Sequence, residues 1–223
     1  DRFKSGSYVA PPVKRVYIPK GDGRVRPIGI PTLEDKILQR AVVMLLTPLY
    51  EQDFLDCSYG FRPGCSVGRA LEDMWSKVMK MGGCWVLEVD VRNFFGEVKY
   101  DHLREFLKER VRDGVVLRII GKWLKAGVME GGMIHYPKEG TPQGGVISPL
   151  LSNIYLHKVL DEWFEKEVKP RLRGRADLIR WADDYVILFT NEQDAYRGWP
   201  VVPKLFGKYG FAFFNGQKPA LYD

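Results

Sequence analysis

Hydrophobic residues along the chain follow two periods, and the switches between them outline its elements. Val16-Tyr17-Ile18-Pro19-Lys20 and Arg24-Val25-Arg26-Pro27-Ile28-Gly29-Ile30 flank Gly21-Asp22-Gly23, the signature of a hairpin. Between 33 and 50 the apolar residues Ile37, Leu38, Ala41, Val42, Leu45, Leu46 and Leu49 recur at helical spacing. A second helix is expected over 66–81, with Val67, Leu71, Met74, Trp75 and Val78 on its packing face and Gly82-Gly83 ending it. The period then drops to two. Trp85, Leu87, Val89 and Val91 alternate with Val86, Glu88 and Asp90, so a strand would turn Asp90 away from Val89 and Val91.

Helices are expected over 101–111 and 115–126, then a Gly-rich hairpin over 130–136. Ser148-Pro149 reads as the start of a long helix to about 169, with Ser as cap and Pro in the first turn. Two apolar runs follow, Leu178-Ile179 and Tyr185-Val186-Ile187-Leu188-Phe189, and a last amphipathic stretch over 193–209. Helices and strands do not alternate regularly, and no internal repeat is visible. The pattern argues an α+β fold rather than a doubly wound sheet.

The chemistry sits where the pattern is broken by acids. Trp181-Ala182-Asp183-Asp184 lies between the two late apolar runs, at the expected tip of a buried hairpin. Two adjacent carboxylates there are costly unless a counter-charge neutralises them. Asp90 interrupts another apolar run about ninety residues earlier. If the fold brings the three together, a pair of divalent cations is the natural counter-charge, as in two-metal phosphoryl transfer. Nucleases, cyclases and polymerases share that logic, so the acids alone do not choose among them.

Composition narrows the class only a little. The chain has 223 residues, 45 % hydrophobic and 28 % charged, enough for a packed core and too apolar for disorder. Its net charge of +6 suits a polyanionic partner without demanding one. Cys57, Cys65 and Cys84 show no CxxC spacing, and His102, His135 and His157 are scattered, so neither a disulfide framework nor a zinc ribbon is indicated. No apolar run is long enough to cross a bilayer and no leader opens the chain, so a reducing cytosol and no membrane partner are expected. The start at Asp1, without Met, reads as a fragment.

A Gly-rich turn running into a helix, Gly140-Thr141-Pro142-Gln143-Gly144-Gly145-Val146-Ile147-Ser148-Pro149-Leu150-Leu151, brings backbone near a flat ligand. Together with Arg26-Pro27-Ile28-Gly29-Ile30-Pro31-Thr32, Tyr59-Gly60-Phe61-Arg62-Pro63-Gly64-Cys65-Ser66 and the Asp183-Asp184 hairpin, it carries a resemblance. In order and spacing from Val16 to about Thr190, these blocks resemble the reverse transcriptases encoded by bacterial and organellar group II introns, often called maturases. Retrons, diversity-generating elements and CRISPR-linked enzymes carry related palms, but the Pro142–Leu151 string favours the intron type.

The resemblance implies the fingers and palm of a right-hand polymerase, with the thumb, the maturase domain and any nuclease domain absent. On that reading 1–83 is the first part of the fingers and 84–110 the first part of the palm. Residues 111–147 form a fingers-side insertion and 148–223 the second part of the palm, all in one reverse transcriptase domain. Asp90, Asp183 and Asp184 match the catalytic carboxylates holding two Mg²⁺ ions, or Mn²⁺, with the Val91 carbonyl as a further ligand. Lys20 and Arg26 match the cations that grip the incoming triphosphate. Gln143 matches the residue beside its sugar. Phe95 matches the aromatic gate that excludes a 2′-hydroxyl, and of the neighbouring Phe94 and Phe95 one packs inward. Tyr59, Phe61 and Arg62 look like the template-side motif, and Trp181 stands at the primer end where the family usually has Tyr.

The tail Gly210-Phe211-Ala212-Phe213-Phe214-Asn215-Gly216-Gln217-Lys218-Pro219 also departs from the family: Asn215 and Lys218 keep its spacing, whereas Pro219 and the Phe run do not. The implied activity is extension of a DNA primer on an RNA template from deoxynucleoside triphosphates, with group II intron RNA as a further partner in splicing and retrohoming. The implied location is the bacterial cytosol, or an organelle. Two alternatives stand beside it: a non-catalytic intron-RNA-binding splicing cofactor, and an RNA-templated RNA polymerase, which Phe95 disfavours.

Overall fold

The computed structural model describes residues 5–19, 21, 23, 25–91, 94–136, 144–211 and 220–222, and for Asp90 and 220–222 the backbone alone. In chain order the first elements are β1 (Val13–Pro19), β2 (Val25–Ile30), α1 (Leu33–Tyr50), α2 (Val67–Met81), β3 (Cys84–Asp90) and α3 (Phe94–Glu97). Then come α4 (Tyr100–Arg110), α5 (Gly114–Leu124), β4 (Val128–Glu130), β5 (Met133–His135) and α6 (Ser148–Leu156). The last are β6 (Ala176–Trp181), β7 (Asp184–Phe189), α7 (Glu192–Gly198), α8 (Val201–Lys208) and β8 (Ala220–Tyr222). They divide into two compact units, one of Asp1–Gln52 with Phe95–Leu151, the other of Asp53–Phe94 with Ser152–Asp223.

The first unit holds a sheet in the order β2-β1-β4-β5. β1 and β2 form the expected hairpin, with Ile18 opposite Arg26 and Val16 opposite Ile28. β4 and β5 close through Gly131-Gly132, both at positive φ, which a two-residue turn of this hand requires of its central positions. The Asp113 carboxylate caps α5 by accepting from the backbone N–H of Val115 at 2.7 Å and of Val116 at 3.3 Å.

α1 has the expected length, but only part of the expected face, Val42 and Leu46, is buried. Asp35, Gln39, Val42, Leu46 and Tyr50 are buried, whereas Ile37, Met44 and Leu45 are exposed. The polar members of the inward stripe are satisfied there: Asp35 accepts from the Tyr8 hydroxyl, and Gln39 Oε1 accepts from Ile147 N at 3.3 Å. A buried polar group with a partner costs little, so it can displace an apolar residue from the inner face.

The second unit is built on the sheet β6-β7-β3-β8. α2 packs on it through Ala70, Met74, Val78 and Met81, against Tyr59, Cys84, Ile179 and Leu188. Val67, Leu71 and Trp75, expected on this packing face, lie one helical row over and are exposed. The small Ala70 allows the close approach, and the bulkier row is left outside. The long helix from Ser148 is α-helical only to Leu156. It continues as π turns over His157–Asp161 and Phe164–Val168 and a 3₁₀ turn over Lys169–Arg171. An aromatic cluster supports the unit: Phe94 stacks on Phe211 at 5.4 Å between centroids, and Tyr155 meets Phe211 edge-on at 5.7 Å. The amphipathic stretch over 193–209 forms two helices, α7 and α8, separated at Trp199-Pro200, where proline removes a backbone donor. No helix among the described residues is long and apolar enough to cross a membrane.

Candidate functional site

The site is assembled by register. β3 and β7 pair antiparallel over their full length, and the last rung opposes Asp90 to Asp184. β6 pairs with the other edge of β7, and its last rung opposes Trp181 to Asp184. The turn between β6 and β7 is Ala182-Asp183, so Asp183 sits in the turn and Asp184 begins the strand. Three carboxylate-bearing positions therefore occupy one end of the central strand pair. Cα atoms of directly opposed residues in such strands lie about 4.5–5.5 Å apart, close enough for carboxylates to share cations.

Asp183 is half-buried and Asp184 exposed, so the turn is open to a ligand. Hard carboxylate oxygens suit Mg²⁺ or Mn²⁺. Val91 follows directly, with a buried side chain. Among residues whose side chains are described, no group of three acids, histidines or cysteines is arranged to hold a metal. The Asp90 side chain falls outside that description, and the fit rests on the strand register.

The turn is fastened from beneath. Ala182 has φ of 57°, a left-handed conformation that costs a residue with a β-carbon about 1–2 kcal/mol. What holds it is Arg180, whose side chain is fully buried. Arg180 donates from Nη1 to the Ala182 carbonyl at 2.9 Å and to Asn153 Oδ1 at 3.0 Å. From Nε and Nη2 it donates to both oxygens of the buried Asp161, at 2.8 and 2.6 Å. Burial opposes the guanidinium charge, but Asp161 outweighs it, with Asp183 adding to the same effect, and holds Arg180 firmly protonated. Asn153 in turn donates from Nδ2 to the Gly60 carbonyl at 2.7 Å. Gly60 lies so close to the Trp181-Ala182 peptide that a β-carbon there would come within 2.4 Å of Ala182 N.

Sequence reasoning missed Arg180, Asp161 and Asn153 as site residues. A signal was present: Arg180 lies in an apolar strand run and Asp161 in an apolar helix run. Opposite charges isolated in buried stretches imply each other, because neither is tolerated alone.

The expected template-side residues divide by environment. Phe61 is 61 % exposed and held at φ 59°. Tyr59 is buried against α2, and its hydroxyl donates to Asp73 Oδ2 at 2.7 Å. Arg62 donates from Nη1 to the carbonyls of Leu55 and Ser58, each at 2.7 Å, with its guanidinium over the Phe54 ring. A groove of about 220 Å³ beside them is lined by Ala70, Met74, Glu88, Trp181 and Asp184. Trp181 thus contributes a half-buried wall next to the acidic turn.

Of the neighbouring phenylalanines, Phe94 is buried in the aromatic cluster and Phe95 is half-buried. Arg26 is exposed on β2. Lys20, Gln143 and Lys218 lie outside the described residues. In the first unit an open cleft of about 640 Å³ is lined by Tyr8, Arg104, Arg118, Lys125 and Tyr136.

Known proteins resemble this chain in sequence and in fold. The family model described as reverse transcriptase (RNA-dependent DNA polymerase) matches residues 18–218. Protein YkfC of Escherichia coli K12 is 41 % identical over 184 residues, 81 % of this chain and 47 % of that protein. The group II intron-encoded protein LtrA of Lactococcus lactis is 40 % identical over 159 residues, 70 % of this chain and 26 % of LtrA. The chain thus spans half or less of the curated relatives it matches. Among solved structures, telomerase from Candida albicans in complex with a fragment of telomeric RNA superposes with a TM-score of 0.70 at 16 % identity, covering 99 % of this chain and 43 % of that one.

Proposed function

We propose that this chain, which belongs to the reverse transcriptase (RNA-dependent DNA polymerase) family in its group II intron-encoded branch, extends a DNA primer on an RNA template. The single observation that carries this reading is the rung opposing Asp90 to Asp184, with Asp183 in the adjoining turn. Asp90, Asp183 and Asp184, with the Val91 carbonyl, would hold two divalent cations. Bound there, Mg²⁺ would supply activation of the attacking hydroxyl and neutralisation of charge on the phosphate.

The chain's own residues do the rest. Arg26, exposed on its hairpin, and Lys20 bind the triphosphate, and cations at that point favour the charge that develops on transfer. Gln143 orients the sugar. Phe95, five residues after Asp90, packs under the ribose and rejects a 2′-hydroxyl. Phe61 offers its exposed ring to the template, since aromatic faces stack on bases without sequence preference. Tyr59 and Arg62, engaged with Asp73 and backbone carbonyls, keep that loop in place. Trp181 lines the groove at the primer end. The partners are RNA template, DNA primer, deoxynucleoside triphosphates and, in splicing and retrohoming, group II intron RNA, met in the cytoplasm.

Asp183→Ala separates this reading from a binding-only splicing cofactor. Mg²⁺-dependent addition of a deoxynucleotide should be lost while primer–template binding persists. Extension that survives Asp183→Ala, or that is absent from the unaltered protein with binding intact, would give the cofactor reading the advantage.

A further inference from the structure

We infer that Arg180, Asn153 and Asp161 are positioning residues for metal binding at the acidic turn, acting through the Ala182 carbonyl. The inference rests on the metal assignment above and extends it to a buried network that no comparison names.

A buried Arg–Asp pair is poor evidence for stability by itself, because desolvation cancels much of the attraction. Its geometry here points elsewhere. If the pair served only to neutralise itself, the two bonds from Nε and Nη2 to Asp161 would suffice. Nη1 is instead turned to the Ala182 carbonyl and to Asn153. The Ala182 carbonyl belongs to the peptide that leads into Asp183, so fixing it fixes the base of that side chain.

The same arginine also locks the neighbouring loop. Arg180 N donates to the Cys57 carbonyl at 2.7 Å, and Tyr59 N donates to the Arg180 carbonyl at 2.9 Å. Asn153 completes the ring by binding the Gly60 carbonyl. The left-handed Ala182 is therefore held between a fixed carbonyl on one side and the Gly60 backbone on the other. A turn released from this hold would relax its φ and swing the Asp183 carboxylate. Divalent oxygen sites are sensitive to such displacement, and loss of an outer partner commonly costs about 10–100-fold in metal affinity.

The test uses Tb³⁺, whose luminescence is sensitised by a nearby tryptophan, here Trp181, as a probe for the site in the absence of nucleic acid. Asn153→Ala leaves the Arg180–Asp161 pair in place and removes one bond to Arg180 and one to the Gly60 carbonyl. Tb³⁺ binding should weaken by about 10–100-fold. The Mg²⁺ concentration for half-maximal nucleotide addition should rise in step, with the KM for deoxynucleotide unchanged. A purely structural residue would lower the amount of active protein and leave both midpoints where they are.

A double-mutant cycle with Ala182→Gly adds a second criterion. Glycine accepts the positive φ without strain, so this variant folds, and its effect should add more than independently to that of Asn153→Ala. If Asn153→Ala does not fold, Asn153→Ser, which keeps a hydroxyl beside Arg180, is read in the same way. Unchanged Tb³⁺ and Mg²⁺ midpoints in the folded variant, or strict additivity with Ala182→Gly, overturn the positioning role. Asp183→Ala distinguishes the two levels. Luminescence lost in Asp183→Ala but untouched in Asn153→Ala removes only the positioning role. Luminescence indifferent to Asp183→Ala removes the metal assignment with it.

Discussion

Gly60→Ala perturbs the acidic turn with a single methyl group. A β-carbon at Gly60 would lie 2.4 Å from Ala182 N and 3.1 Å from both Ala182 Cα and the Trp181 carbonyl carbon. Ordinary contact begins near 3.4 Å, so loop and turn must separate by about 1 Å. Neither side yields cheaply: the Gly60 carbonyl is held by Asn153 and the Ala182 carbonyl by Arg180. Overpacking against fixed backbone costs about 1–3 kcal/mol, and the upper end applies here. For a chain of this size that lowers the melting temperature by roughly 6–12 °C. A displacement of about 1 Å at a catalytic group costs on the order of 100-fold in rate. Thermal melting and single-turnover nucleotide addition measure the two effects. Gly64→Ala is the control: it also sits in this loop, at φ 70°, but nothing lies within 4 Å of its β-carbon, so only backbone strain of about 1 kcal/mol is added. If Gly60→Ala behaves no worse than Gly64→Ala in melting and rate, the close packing of loop on turn is not what positions the acids.

Phe95→Ala should raise ribonucleotide incorporation relative to deoxyribonucleotide, measured by competition on one template. An unchanged ratio removes the gate role. His157 is buried against Phe54, and burial, partly opposed by Asp161 and Glu162, pulls its pKa below 6.5. Its neutral form is the one the fold accepts. Its contribution to stability is therefore whole above about pH 6.5, where the unfolded chain begins to take up the proton, and is lost as pH falls from there through the lower folded-state pKa. His157→Gln should flatten the fall in melting temperature between pH 7.5 and 5.5; parallel curves would refute the assignment. Primer–template affinity should fall steeply with salt, because bound cationic side chains displace counterions from phosphate, and a shallow dependence would argue against a phosphate-led interface.

The acidic site was legible because two kinds of pattern met. Alternation in β3 and the unbroken apolar run of β7 marked the strands, and the acids at their ends marked the candidate site. The helix faces were less legible. In α1, hydrophobicity favours Ile37 and Leu45 for the core, yet Asp35 and Gln39 occupy it because each finds a partner far away in sequence. In α2, small size selected Ala70 over Leu71 and Trp75, which no amphipathic count rewards. The π turns after Leu156 left no mark on the apolar spacing. Tyr59 and Arg62 carry motif residues whose side chains turn to Asp73 and to loop carbonyls, partners that only the folded loop supplies. The Arg180 network follows from charges in apolar runs, but pairing Arg180 with Asp161 rather than another acid required the fold.

The most direct test of the central claim is single-nucleotide addition by the purified protein to a DNA primer annealed to an RNA template. With Mg²⁺ and the complementary deoxynucleoside triphosphate, the primer should grow by one residue. It should not grow with EDTA, with a non-complementary triphosphate, or in the Asp183→Ala protein. Extension that ignores the template base, proceeds in EDTA or survives Asp183→Ala would contradict templated synthesis at the Asp90–Asp183–Asp184 site.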